Sequence, residues 1–358
     1  MAPIIRRLKE SDWANPVVVA TGQHDQLLEI ALQDFDIRPD YVIAHDANSN
    51  VIVKLLGFVT AELSALFERI KPDVVIAQGD TTTVFAASLA AFYGRRQFVH
   101  VEAGLRTNDL SAPFPEEFHR RMVAVATTLH CAPTLVAARH LREENIPEKN
   151  ILMCGNTVID ALLETAGKRP QLPAQFPSVA RPILMTAHRR ENFGAPLREA
   201  FTAVRSFIDL APDTALFFPL HPNPAAHSVA REILSNHPRI ILTDALSYRE
   251  LVAALQNAWL VVTDSGGLQE EAPALGKPVL VLRDVSERPE VVEAGVALLV
   301  GTQRERILGA LTNVYNNAAT YERMARVIFP YGDGQAAKRI ISSIQKLTRA
   351  RASDSDRH

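Results

Sequence analysis

The stretch Leu260-Val261-Val262-Thr263-Asp264-Ser265-Gly266-Gly267-Leu268-Gln269-Glu270-Glu271 decides the fold. Its apolar, β-branched start reads as a buried strand, and the glycines after Ser265 open a helix, so this is the strand-to-helix joint of a doubly wound α/β unit. Ser265 is placed to cap that helix. Free backbone N–H groups and the positive end of the helix dipole suit a diphosphate, and glycine lets phosphate oxygens come close. Glu271, about a turn and a half further on, could accept hydrogen bonds from ribose hydroxyls. The plainer alternative is a tight turn with solvated acids. Neither GxGxxG nor GxxxxGK[ST] occurs here, which argues against NAD and ATP.

Outward from this joint, short apolar runs alternate with helical-period segments. Residues 183–186, 216–219, 240–242, 260–262, 279–282 and 297–300 form one strand series; 17–20, 74–77, 98–101 and 129–131 form an earlier one. Helices are expected at 1–10, 51–70, 83–92 and 335–349. Residues 169–182 hold four prolines and little periodicity, which marks a linker. The expected domains are 1–168 and 169–330, with a final helix over 331–350 packing back across them. A length of 358 residues also fits two domains at about 150 residues each.

Composition narrows the function. Lys and Arg number 38 against 40 Asp and Glu, so no global field recruits nucleic acid or an anionic membrane. No apolar run approaches the ~18 residues of a membrane span. The two cysteines, Cys131 and Cys154, lack CxxC spacing and read as buried thiols in a reducing cytoplasm.

Ligands of doubly wound sheets bind at the carboxyl ends of the strands, so strand exits carry the candidates. His188 and Arg189 follow one strand; arginine suits bidentate phosphate binding and histidine can donate to phosphate or sugar. His221 follows the next, in a proline-rich loop. In the N-terminal half, Asp80 and Glu102 follow neighbouring strands, and Glu116 opens a helix. Each alone could merely favour a helix dipole; several carboxylates converging on one crevice suit a reaction needing both an acid and a base.

The strings GDTTT, HVEAGLRT, FPEE, GNTVIDAL, HRREN, TDSGGLQEEAPALGKPVLVLRD, ERPE and PYGDGQA occur in this order. Together they closely resemble the non-hydrolysing UDP-N-acetylglucosamine 2-epimerases, from Met1 to about Thr348. The resemblance implies an α/β, GT-B-like fold of two Rossmann-like doubly wound domains facing a central cleft. It implies reversible conversion of UDP-GlcNAc to UDP-ManNAc without a metal or other cofactor, for cell-surface polysaccharide, by anti elimination of UDP to 2-acetamidoglucal and re-addition. By the same resemblance, Asp80, Glu102 and Glu116 are catalytic with His188 assisting. Arg189, Ser265, Gly266, Gly267 and Glu271 bind UDP. Gln23, His24, Gln26 and His221 are positions where some members bind a second UDP-GlcNAc as activator. A homodimer is implied, with no nucleic-acid or membrane partner. The alternatives are a GT-B glycosyltransferase, an epimerase for a modified sugar, and an inactive UDP-sugar-binding protein. Members of the family begin with an apolar strand and a GTRPE turn ahead of the helix that starts here at Met1. That strand is therefore expected to be missing from the first sheet, with Met1 an internal methionine and the chain poorly soluble or inactive without its upstream part.

Overall fold

The computed structural model describes residues 1–22, 26–44, 51–189, 192–220 and 224–355. The chain divides into two compact units, one of Met1–Ala161 with Tyr331–His358 and one of Leu162–Pro330. The division falls inside the helix Thr157–Gly167, and residues 168–180 then run without helix or strand.

The first unit contains strands β1 (Val19–Thr21), β2 (Tyr41–Ile43), β3 (Val74–Gln78), β4 (Gln97–Val101), β5 (Leu129–Ala132) and β6 (Ile151–Met153). All pairings are parallel, as expected where helices connect the strands. They form two sheets, β1-β2 and β3-β4-β5-β6. Among the described residues β1 and β3 are not hydrogen-bonded to each other, and the strands of this unit fall into these two sheets. A hydroxyl contact, Thr21 Oγ1 to Thr83 Oγ1 at 2.7 Å, joins the end of β1 to the helix after β3. Exposure follows the split: β4 and β5 are almost wholly buried, whereas β3, equally apolar in sequence, is half-buried along most of its length. The helix Thr82–Tyr93 covers the sheet with an alanine-rich face, and Thr81 caps it by accepting the N–H of Val84. The C-terminal helix Ala336–Ser355 packs Ala337, Ile340 and Ile344 against Ile4, Leu8 and the β4 and β5 side chains Val99, Val101 and Cys131.

The second unit has strands β7 (Arg181–Thr186), β8 (Thr214–Pro219), β9 (Ile240–Thr243), β10 (Leu260–Thr263), β11 (Val279–Val281) and β12 (Ala297–Leu299). They form one parallel sheet in the order β12-β11-β10-β7-β8-β9. Its core buries Phe201, Phe207 and Phe218 completely or nearly so, at roughly 2–3 kcal/mol each. The chain steps outward from β7 to β9 on one side, then returns to lay β10 on the other. The order therefore reverses between β7 and β10, which is where such sheets open a crevice for ligands.

Every strand of the sequence reading is present, each within a few residues of its expected bounds. The two it missed, β2 and β6, are three-residue strands without room for a period. Cys131 and Cys154 are free and buried, and among the described residues no helix is long and apolar enough to cross a membrane.

Candidate active site

At the reversal point of the second unit, Thr186 and Thr263 are register partners and their hydroxyls lie 2.6 Å apart. The two chain exits beyond them are consequently side by side. Asp264 is fully buried and organises both. Its carboxylate accepts the backbone N–H of His188 at 2.9 Å and of Arg189 at 2.9 Å, and the amide of Asn192 at 3.3 Å. His188 Nδ1 lies 3.1 Å from Oδ1 of Asp264. Burial alone would raise the pKa of Asp264; the His188 ring and these amides outweigh it and hold the carboxyl below its ordinary value.

Ser265 is the N-cap of the helix Gly266–Ala274, but its hydroxyl makes no capping bond. This corrects the expected cap: the Ser265 N–H is turned onto Thr263 Oγ1 at 2.9 Å, which fixes the turn from behind. Arg288 packs over the helix start, so that a Cβ on Gly266 would sit 2.7 Å from its Nη1. The guanidinium is held from the side by Glu270 Oε1 at 2.7 Å and by Glu287, which also bonds Arg283 at 2.8 Å and lies 3.6 Å from Arg189. Three guanidinium groups meet two carboxylates in this cluster, so it adds one positive charge beside the dipole of the helix. Glu271 is buried further along; burial raises its pKa to about 7, opposed by a hydrogen bond from the Tyr248 hydroxyl.

In the first unit, Gln78 pairs with Val101, so β3 and β4 deliver Asp80 and Glu102 from adjacent exits. The Glu102 carboxylate rests over Gly79, where an added Cβ would lie 3.8 Å from Oε2. Glu102 itself has a left-handed backbone, φ 67°, a strained conformation for a side-chain-bearing residue. The loop between them is held by bonds to two carbonyls and one carboxylate. His100 Nε2 donates to Gly79 O at 2.7 Å, His119 Nδ1 donates to Asp80 O at 2.8 Å, and Arg120 Nε donates to Asp80 Oδ2 at 2.9 Å. Burial pushes His100 down to about 4, so it is neutral and the bond is a plain donor bond. Arg120 is also bound by the buried Glu117 at 2.9 Å. Of the paired glutamates Glu116-Glu117, the second is therefore structural, while Glu116, half-buried, opens the helix Glu116–Ala126. Gly104 ends the β4 exit at φ +88°, and a Cβ there would strike Ala137 O at 2.3 Å.

The expected site residues thus fall in two groups: Asp80, Glu102 and Glu116 in the first unit; His188, Arg189, Ser265, Gly266, Gly267 and Glu271 in the second. Gln23, His24 and His221 lie outside the described residues; Gln26 begins the helix Gln26–Asp34, its side chain likewise undescribed. The sequence reading assigned no role to Asp264, Arg288, Tyr248 or Arg120. Asp264 and Arg288 lie within strings it quoted, TDSGG and ERPE.

The family model described as UDP-N-acetylglucosamine 2-epimerase matches residues 6–345. A putative UDP-N-acetylglucosamine 2-epimerase of Thermotoga maritima is 44% identical over 353 residues, covering 96% of this chain and 92% of its own. The UDP-N-acetylglucosamine 2-epimerase of Escherichia coli K12 is 39% identical over 355 residues, covering 96% and 94%. Among solved structures, the Neisseria meningitidis UDP-GlcNAc 2-epimerase bound to UDP-GlcNAc superposes with a TM-score of 0.94 at 38% identity, covering 97% of this chain and 96% of that one. The parallel α/β architecture, the family match over residues 6–345 and the superposition agree: the chain belongs to the UDP-N-acetylglucosamine 2-epimerase family.

Proposed function

We propose that this enzyme interconverts UDP-N-acetylglucosamine and UDP-N-acetylmannosamine by inverting C2 of the sugar. The observation that carries the reading is the helix start at Gly266, uncapped by Ser265 and overlaid by the Arg288 guanidinium, which suits a diphosphate as ligand and as leaving group. In this reading Ser265, Gly266, Gly267 and Arg189 bind the diphosphate and Glu271 the ribose. His188, oriented by Asp264, donates to the departing UDP.

The C2 proton is weakly acidic, so loss of UDP from C1 must accompany its removal. Elimination leaves 2-acetamidoglucal; protonation of the opposite face of C2 and return of UDP to C1 complete the inversion. Asp80, Glu102 and Glu116 supply the acid and base on the two faces. Arg120 fixes the orientation of Asp80.

The two free thiols are in keeping with a cytoplasmic enzyme. Two copies pair, on this proposal, through the first unit: Phe118, Met122 and Val125 recur at helical spacing as exposed apolar side chains, and Phe92 and Tyr93 are exposed on the helix packed beside them.

Proton NMR of UDP-GlcNAc with the protein in D2O tests the activity. Appearance of UDP-ManNAc with deuterium at C2 is the expected result; an unchanged spectrum, or release of free sugar without UDP-ManNAc, refutes it.

A further inference from the structure

We infer that Tyr248 is a positioning residue for nucleotide recognition: its hydroxyl, 2.6 Å from Oε1 of Glu271, fixes that carboxylate so that Oε2 faces the ribose diol. The inference rests on the UDP reading above and deepens it.

The geometry divides the two carboxylate oxygens between two tasks. Oε1 is engaged by the tyrosine. Oε2 lies on the side of the helix start, 3.6 Å from where a Cβ on Gly267 would stand, with Ser265 Oγ 3.9 Å from the same point. A buried carboxylate presented to a vicinal diol needs this arrangement. If it could rotate, each hydrogen bond to the ligand would carry the entropic cost of ordering it.

Tyr248 is itself set rigidly. It is the first residue of the helix Tyr248–Asn257, directly after a complete capping box in which the Ser247 side chain accepts the Glu250 N–H and Glu250 bonds the Ser247 N–H at 2.9 Å. That box fixes the helix start, and with it the direction of the ring. Burial, reinforced by the charge of Glu271, raises the phenol well above its ordinary value, so it stays protonated and acts as donor.

The test is a cycle between protein and ligand, measured by calorimetry with UDP and 2′,3′-dideoxy-UDP at about pH 8.5, where Glu271 is ionised. The intact protein should bind UDP about tenfold or more tightly than the dideoxy compound, the value of a lost charge-assisted hydrogen bond. Tyr248→Phe should shrink that preference to about threefold or less while binding dideoxy-UDP as the intact protein does, which also shows that the variant is folded. Should the phenylalanine variant misfold, Tyr248→Leu is read in the same way. A Tyr248 variant that keeps the full preference overturns the inference and leaves the UDP reading standing. An intact protein that binds UDP but does not distinguish the two ligands removes the ribose assignment of Glu271, and the role of Tyr248 with it.

Discussion

His188 Nδ1 and Asp264 Oδ1 are 3.1 Å apart, and the same carboxylate accepts the backbone N–H groups of His188 and Arg189. Ring and backbone are therefore fixed by one buried acid. With Nδ1 turned to Asp264, Nε2 is the nitrogen directed away from it, as a donor to a leaving diphosphate requires. Asp264→Asn should lower turnover by about 10²-fold in the NMR assay, with a smaller loss of UDP affinity.

The same residue makes a prediction about acid stability. Its folded pKa lies below the unfolded value, so it contributes stability that is present at neutral pH and lost as pH falls through the carboxylate range. Asp264→Asn should melt below the parent at neutral pH, and the gap should narrow on acidification. A gap that stays constant down to about pH 3 would show that the ionised Asp264 carboxylate is not its source.

Glu271 has the opposite sign. Unfolded, it loses its proton near 4.5; folded, burial holds the proton until about pH 7, so stability falls as pH rises between these values. At about 1.4 kcal/mol per pKa unit, a rise from 4.5 to about 7 means that the ionised carboxylate costs the fold roughly 3–4 kcal/mol above that range. Glu271→Gln should raise the melting temperature at about pH 8 and change it little near pH 4.5, while weakening UDP binding. A uniform shift at both pH values would refute the assignment.

The carboxylates of the first unit should behave as chemical groups. Asp80→Asn, Glu102→Gln and Glu116→Gln are each expected to lower turnover by roughly 10²-fold or more with UDP affinity nearly unchanged. Near-parental rates in all three would place the acid and base elsewhere.

Gly266→Leu should weaken UDP binding by about tenfold or more, because its Cβ arrives 2.7 Å from Arg288 Nη1 and the guanidinium must move off the helix start. Arg288→Ala should reduce affinity as well, and the double variant should cost less than the sum of the two. Strict additivity would mean that the two positions act separately.

The parts of this protein legible in its sequence were those with a period or a tight chemical signature. The strands around the two exits were readable because Val-Val-Ile and Leu-Val-Val runs between glycine-marked turns admit few other structures. Asp80 and Glu102 were singled out because they follow strands, and Glu271 because it stands on the helix that follows one. Tyr248 carried no such mark: it opens a helix of the expected kind, and only folding brings it onto Glu271 from a position 23 residues away in sequence. Arg120 was hidden for the same reason, 40 residues from the Asp80 it bonds. The Ser265 cap failed because local pattern says which side chain could close a helix start, not which way its hydroxyl turns once the chain is folded.

The split of the first sheet has a consequence for how Asp80 is kept in place. Among the described residues β3 has a hydrogen-bonded neighbour on one side, β4. Such a strand can breathe away from its ladder more readily than β4, which is paired on both sides. Asp80 stands just beyond the end of β3, yet its carbonyl and carboxylate are gripped by His119 and Arg120, both from the helix Glu116–Ala126. The coordinates of this acid are thereby borrowed from a helix rather than from its own strand. Thermal motion at the sheet edge and at the carboxylate are decoupled to the extent that those two bonds hold, and amide exchange along β3 can be fast while Asp80 stays still.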